Sequence, residues 1–334
     1  MRNIYILWGL LACIAFTSCY EEDTLTPTEG GVELRFKVPQ GNNSWDDDIA
    51  QIYENYNVYL IYKDLQRADF NRSWTGTSYG SGYEGQGCVN DEMTNYYVEF
   101  MKKHIFAYLN PPITSKVLPM YWYLGYNVYS KSVLEIGGVI LASWIVPIHE
   151  NYDGLDYWCT CMFGEDNPSD PYLIPTDRAL LDRRRKMILA PVLEKAVKAG
   201  NIIIPEEFEV GFDHVTNLIA GLGMEDDPNY YLTRGYPGSV NTYVFNSISE
   251  PANNSYPPTN EETFIGYMHL SMYYNQARLA EVYPADKYPF LTEKFAFVQK
   301  YLKDKYQIDL EAIANGPEDW NLPLPPIPET PDEE

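Results

Sequence analysis

The sequence predicts an α+β chain, with strands gathered in the first half and helices in the second. Two β-branched and aromatic runs, residues 117–128 and 133–148, carry the strand signal and read as central strands. Long stretches with apolar residues three and four apart, opened by capping residues or closed by proline or glycine, carry the helical one. No internal repeat is present. With 45% hydrophobic residues over 334 positions, the chain can bury one large core or two modest ones.

The amino terminus reads as an address. Arg2 precedes an apolar run from Ile4 to Phe16, too short to span a bilayer, and Thr17-Ser18 then lead into Cys19. A cysteine directly after the small residues is the arrangement of a lipoprotein signal. Residues 1–18 are then the signal peptide, and Cys19 carries the acyl chains that hold the protein on a membrane. Cys13 would leave a very short apolar core as the alternative. At about 0.8 kcal/mol per buried methylene, two or three chains make an essentially permanent anchor. The acidic Glu21-Glu22-Asp23 resembles the surface-export signal of Bacteroidetes lipoproteins, which implies the outer membrane, facing outwards. Residues 19–31 lack apolar periodicity and read as a flexible acidic tether.

The elements follow in order. Val32, Leu34, Phe36 and Val38 alternate as in a half-buried strand. Asp46-Asp47-Asp48 caps a short helix with Ile49, Ile52 and Tyr53 on one face. After the Asn55-Tyr56-Asn57 turn comes a strand over 58–62, and five glycines make 74–87 a loop. Residues 91–109 form a helix that Pro111-Pro112 ends. The two strand runs follow, then a polar loop over 150–175. Thr176-Asp177 opens a long helix to about Gly200, and a Gly-, Tyr- and Pro-rich region runs to Pro258. Thr259 to Glu262 caps another helix, and the last runs from Phe290 or Leu291 to Tyr306. The folded domain is bounded at 32–313. Residues 314–334 make a Pro-rich acidic tail, extended or disordered.

Composition excludes some partners. A net charge of −23 argues against nucleic acid, since phosphate binding needs a basic face. The basic cluster Arg178 and Arg183 to Lys186 reads as a solvated helical face. Thirty tyrosines against thirteen phenylalanines suit wet interfaces, although most serve as ordinary core filling. Cys88, Cys159 and Cys161 permit one disulfide, from Cys88 to either of the others, in an oxidising compartment.

Two segments resemble a known family. Residues 48–62, a short helix, an Asn-aromatic turn and a strand ending in an aromatic, are similar to the opening of the zinc-binding metallopeptidase lipoproteins of Bacteroidetes. Residues 293–310, closing on Tyr306-Gln307-Ile308-Asp309-Leu310, resemble that family's final helix. Ile204-Pro205-Glu206-Glu207-Phe208 and Asn260 to Phe264 fall between them in the family's order. The resemblance implies a zincin-like fold and a place near outer-membrane transporters and uptake lipoproteins. It also implies His-Glu-x-x-His on the helix before Pro205, which sets two imidazoles on one face around a zinc and a glutamate beside its water.

Counted back from Phe208, those positions hold Val192, Leu193 and Ala196; counted from Pro205, they hold Pro191, Val192 and Lys195. The family's later acidic ligand position is Gly266. The zinc site is therefore lost in either register, and the expected function is that of a catalytically inactive binding or accessory protein with no cofactor. Its old groove would hold a peptide or glycan between walls from Tyr230, Tyr231, Tyr236, Tyr243, Glu262 and Tyr267. Two alternatives stand beside it: a metal-dependent peptidase using His149, His214 and His269, and a purely structural lipoprotein of a transporter complex.

Overall fold

The computed structural model describes residues 34–72, 82–165, 170 and 174–328. The signal, Cys19 and the tether lie outside the described residues. So do 73–81 and the last six residues of the tail.

Helix α1 (Ser44–Tyr56) is capped by Asn43, one turn earlier than expected. Asp46 sits inside the first turn, accepting from the backbone N–H groups of Gly41 and Asn43 and from the Tyr62 hydroxyl. It closes a capping box that satisfies donors the helix leaves free. Of the expected strand at 32–38, the described residues 34–38 join no ladder, and Pro39 has no N–H to give one.

The centre is a mixed six-stranded sheet with β1 (Tyr59–Ile61), β3 (Tyr121–Ile136), β6 (Tyr157–Phe163) and β5 (Glu150–Asn151) side by side. β1 and β6 run parallel to the first half of β3, and β5 is the antiparallel edge beside β6. β2 (Gly82–Gly87) pairs antiparallel with the middle of β3, from Gly125 to Lys131, and β4 (Val139–Pro147) pairs antiparallel with its second half. Four sequence readings change here. β2 falls in the expected glycine loop because its glycines serve close approach: a Cβ on Gly87 would lie 2.3 Å from the Tyr62 carbonyl oxygen. β6 falls in the expected polar loop. Its seven residues are all buried, so it shows a continuous apolar run rather than alternation. The first strand run begins at Tyr121 and continues to Ile136. The second is not one central strand, because Gly137 and Gly138 take positive φ and fold Ile136 onto Val139 as a two-residue hairpin.

Helices cover the sheet and build the second half. α2 (Arg67–Phe70) is a single turn. α3 (Asp91–Phe100) continues through a π-turn at Met101–Ile105 and a 3₁₀ turn at Phe106–Tyr108. Pro111 does not only end that run. It opens the short α4 (Pro111–Thr114), where the missing N–H costs nothing. Tyr97 ties α3 to the sheet, donating to the Gly125 carbonyl at 2.5 Å and accepting from the Met162 N–H at 2.6 Å.

α5 (Arg178–Lys198) starts on the Asp177 cap and carries Pro191 in its interior. Arg184 and Arg185 of the basic cluster are buried, not solvated. Arg185 donates to the Ile313 carbonyl and to Asp182, and its Nη1 lies 3.1 Å from His104 Nδ1. α6 (Glu206–Glu209), the short pair β7 (Ser239–Val240) and β8 (Ile248–Ser249), and α7 (Asn260–Tyr273) follow. α8 (Gln276–Val282) and α10 (Leu310–Asn315), short helices of seven and six residues on either side of α9 (Pro289–Tyr306), escape the sequence reading. Past α10 the described residues form no helix or strand, and Trp320 packs edge-on against His104, ring centres 4.6 Å apart.

Candidate functional site

α5 positions the site. Proline in a helix interior cannot donate to the carbonyl four residues back, here that of Met187. Tyr152, from the chain just after β5, supplies a substitute: its hydroxyl donates to the Met187 carbonyl at 3.4 Å. The helix passes through Pro191 unbroken.

One stripe of α5 borders two neighbouring hollows. Met187, Pro191 and Glu194 line a small one of about 230 Å³, closed by His149, Glu150, Tyr152, Thr242 and Tyr243. Glu194 and Lys198 line a larger groove of about 590 Å³, whose far wall is α7 through Glu262, Gly266 and His269. Its rim is the 236–258 segment, rich in proline (Pro237, Pro251, Pro257, Pro258), with Tyr236 and Tyr256. Glu194 is common to both hollows. Spacings of four, three and four along 187, 191, 194 and 198 are those of one helical face.

The expected zinc positions sit elsewhere. Val192, Leu193 and Ala196 are fully buried in the core. The count from Phe208 thus selects the inward face, whereas the count from Pro205 places Pro191 on the stripe. Gly266 does face the large groove, where a Cβ would meet only Pro237 Cγ, at 3.4 Å. The stripe offers a thioether, a pyrrolidine, a carboxylate and an ammonium. Zinc takes imidazole, thiolate and carboxylate ligands in sets of three or four, so this donor set does not fit it.

Nor do the three histidines of the alternative converge. Among the described residues no three His, Cys, Asp or Glu side chains form a metal-binding group. His149 Nε2 lies 2.6 Å from Asp170. His214 Nδ1 is 2.7 Å from the Pro258 carbonyl oxygen, and His269 Nε2 is 3.9 Å from Glu194. Burial holds His149 and His269 uncharged at neutral pH, both pushed down to about 4.

A buried polar chain lies behind the small hollow. Arg184 is enclosed, donating to the Cys161 carbonyl, and its Nη1 lies 3.6 Å from Glu150 Oε1. Thr160 donates to Glu150 at 2.7 Å and accepts from the Trp122 indole N–H at 2.9 Å. Burial outweighs the nearby guanidinium and pushes the Glu150 carboxyl up to about 8. A histidine after Pro147-Ile148 gives no sign that β5 and α5 will enclose it.

The six wall candidates divide. Tyr236 lines the large groove, with its hydroxyl donating to the Asp213 carbonyl at 2.9 Å, and Glu262 lines it from the first turn of α7. Glu262 accepts from the Thr259 N–H and hydroxyl, and those hydrogen bonds hold its carboxyl below the ordinary value. Tyr243 belongs to the small hollow, its ring edge-on to His149. Tyr230, Tyr231 and Tyr267 form no wall: all three are buried, and Tyr267 is fixed by donating to the Gly235 carbonyl at 2.6 Å. Tyrosine in an apolar run fills core once its hydroxyl finds a carbonyl, and the run alone does not distinguish this from a binding surface.

Among the described residues no disulfide forms. Cys88, Cys159 and Cys161 are free thiols. Burial pushes Cys88 up to about 12 and Cys161 up to about 11, which removes thiolate character.

No family profile matches this chain, and no curated protein sequence does. Among solved structures, a protein described as a "putative zinc-binding metallo-peptidase" from Bacteroides caccae ATCC 43185 is similar at 14% identity. That similarity covers 82% of this chain and 92% of the other, with a TM-score of 0.41.

Proposed function

We propose that this chain is a zincin-like lipoprotein that binds an extended peptide or glycan in the groove between α5 and α7 without cleaving it. In this reading the acyl chains on Cys19 hold it at the outer face of the outer membrane. There it serves as an accessory of a nutrient transporter and its uptake lipoproteins. One observation carries the binding half of the reading: the groove-facing stripe of α5 has no imidazole, yet the groove beside it stays open at about 590 Å³. That volume is in the range of small-ligand sites. Its lining of proline and tyrosine with Glu194, Lys198 and Glu262 suits a polar chain with apolar faces. The acidic run after Cys19 and the ordered segments at 48–62, 204–208, 260–264 and 293–310 support the family and the address.

The test is made on the chain with Cys19→Ser, purified without chelator and again after adding zinc. Less than about a tenth of a zinc per chain in both samples is expected, with saturable binding of an oligosaccharide or peptide by calorimetry. Near one zinc per chain surviving dialysis, together with peptide cleavage, would replace this reading with an enzyme.

A further inference from the structure

The β3–β4 hairpin projects from the sheet with its outer half uncovered. Leu134, Ile136, Val139, Ile140, Trp144 and Ile145 stand 46–64% exposed, and every residue from Val139 to Val146 is exposed. Monomeric proteins seldom show contiguous apolar patches beyond a few hundred Å². Residues opposite one another in an antiparallel ladder share a face. The register pairs Ser132 with Trp144, Leu134 with Ala142 and Ile136 with Val139 on one face. The other face pairs Lys131 with Ile145, Val133 with Ser143 and Glu135 with Ile140. The first face is therefore apolar but for serines, and the second carries both charges.

We infer that the Trp144 face is where a second copy of this chain docks, two hairpins packing face to face about a two-fold axis. The area is right. That face exposes on the order of 500 Å² of apolar surface per copy, so a pair would bury on the order of 1,000 Å², about where specific interfaces begin. The relief is right as well. Two of the three pairs set a large side chain opposite a small one, Trp144 beside Ser132 and Leu134 beside Ala142, which leaves hollows a twin can fill, and Ile136 with Val139 forms an apolar end at the tip. A lipid surface fits less well. Among the described residues the outer edge of β4 pairs with no strand, and Glu135 lies near the tip. Open edges and a carboxylate would enter hydrocarbon at several kcal/mol each. Two chains of charge −23 repel one another, so salt should strengthen the dimer.

Light scattering on the Cys19→Ser chain at micromolar concentration should give twice the chain mass, more completely at higher salt. Trp144→Lys should give the single mass with unchanged far-ultraviolet circular dichroism. Ala142→Cys, on the docking face, should form a linked dimer under mild oxidation, whereas Ser143→Cys, on the other face, should not. Cys159 and Cys161 are fully buried, and the half-buried Cys88 is replaced by serine in both linking variants so that it takes no part. A wild-type monomer at all concentrations overturns the inference. So does a monomer that binds neutral phosphatidylcholine vesicles through Trp144, which would make the occupant lipid. Equal linking from Ala142→Cys and Ser143→Cys overturns the face.

Discussion

Glu150→Gln should remove a loss of stability that the wild-type protein suffers as pH rises. In the folded chain Glu150 is enclosed by β5, β6 and α5, and burial pushes its carboxyl from 4.5 up to about 8. Below about pH 4.5 the carboxyl is protonated in both folded and unfolded chains and contributes no difference. Above it, the unfolded chain releases the proton while the folded chain keeps it. Stability is therefore lost progressively between about pH 4.5 and 8. At about 1.4 kcal/mol per pH unit, the whole span is worth about 5 kcal/mol, and the part between about pH 5.5 and 9 is worth about 3 kcal/mol. Glutamine keeps the shape and can still accept from Thr160, but has no proton to lose. Urea unfolding followed by tryptophan fluorescence at the two pH values measures the difference directly. Other titrating groups are common to both proteins and cancel. Glu150→Gln should gain about 3 kcal/mol on wild type between the two pH values. Parallel profiles would refute the assignment of Glu150 as a buried neutral acid.

Four further outcomes are expected. His269, held down to about 4 by burial, contributes stability that is present above about pH 6.5 and lost as pH falls through about 4. His269→Gln should therefore remove about 3 kcal/mol of acid sensitivity, read from denaturation at pH 7 and pH 4. Tyr97→Phe leaves the Gly125 carbonyl and the Met162 N–H without that partner, and should cost about 2–3 kcal/mol in urea unfolding. Gly266→Ala should stabilise by about 0.5–1 kcal/mol, since the position is helical and its Cβ meets only Pro237. Gly266→Phe should instead weaken ligand binding in the groove while leaving the melting temperature within a few degrees.

What the sequence shows depends on where its signals are local. α5, α7 and α9 announce themselves through caps and spacing: Asp177 and Thr259 both accept from N–H groups of the first turn, as their positions suggest. β6 does not, because a strand buried on both faces loses the alternation that marks a strand. The hairpin tip at Gly137-Gly138 is legible only to a reader who lets two glycines outweigh the β-branched run around them. The groove is partly legible. Gly266 and Tyr236 face it, but the face of α5 that borders it depends on a register the sequence leaves two residues wide. The chain of Trp122, Thr160, Glu150 and Arg184 is not legible at all, since its members come from three strands and a helix.

The pairing of Pro191 with Tyr152 bears on how this chain can change. A histidine placed at 191 would bring back a backbone N–H, and that N–H would reclaim the Met187 carbonyl. Tyr152 would then keep only its 3.5 Å contact with Glu150 as an outlet for its hydroxyl, deep beside a carboxyl already short of water. A metal-binding stripe on α5 would thus need more than new ligands, since the hydrogen-bond partner that Tyr152 makes for the Met187 carbonyl would have to change with Pro191. Substitutions at 152 and 191 should be strongly epistatic, each tolerated only in the company of the other.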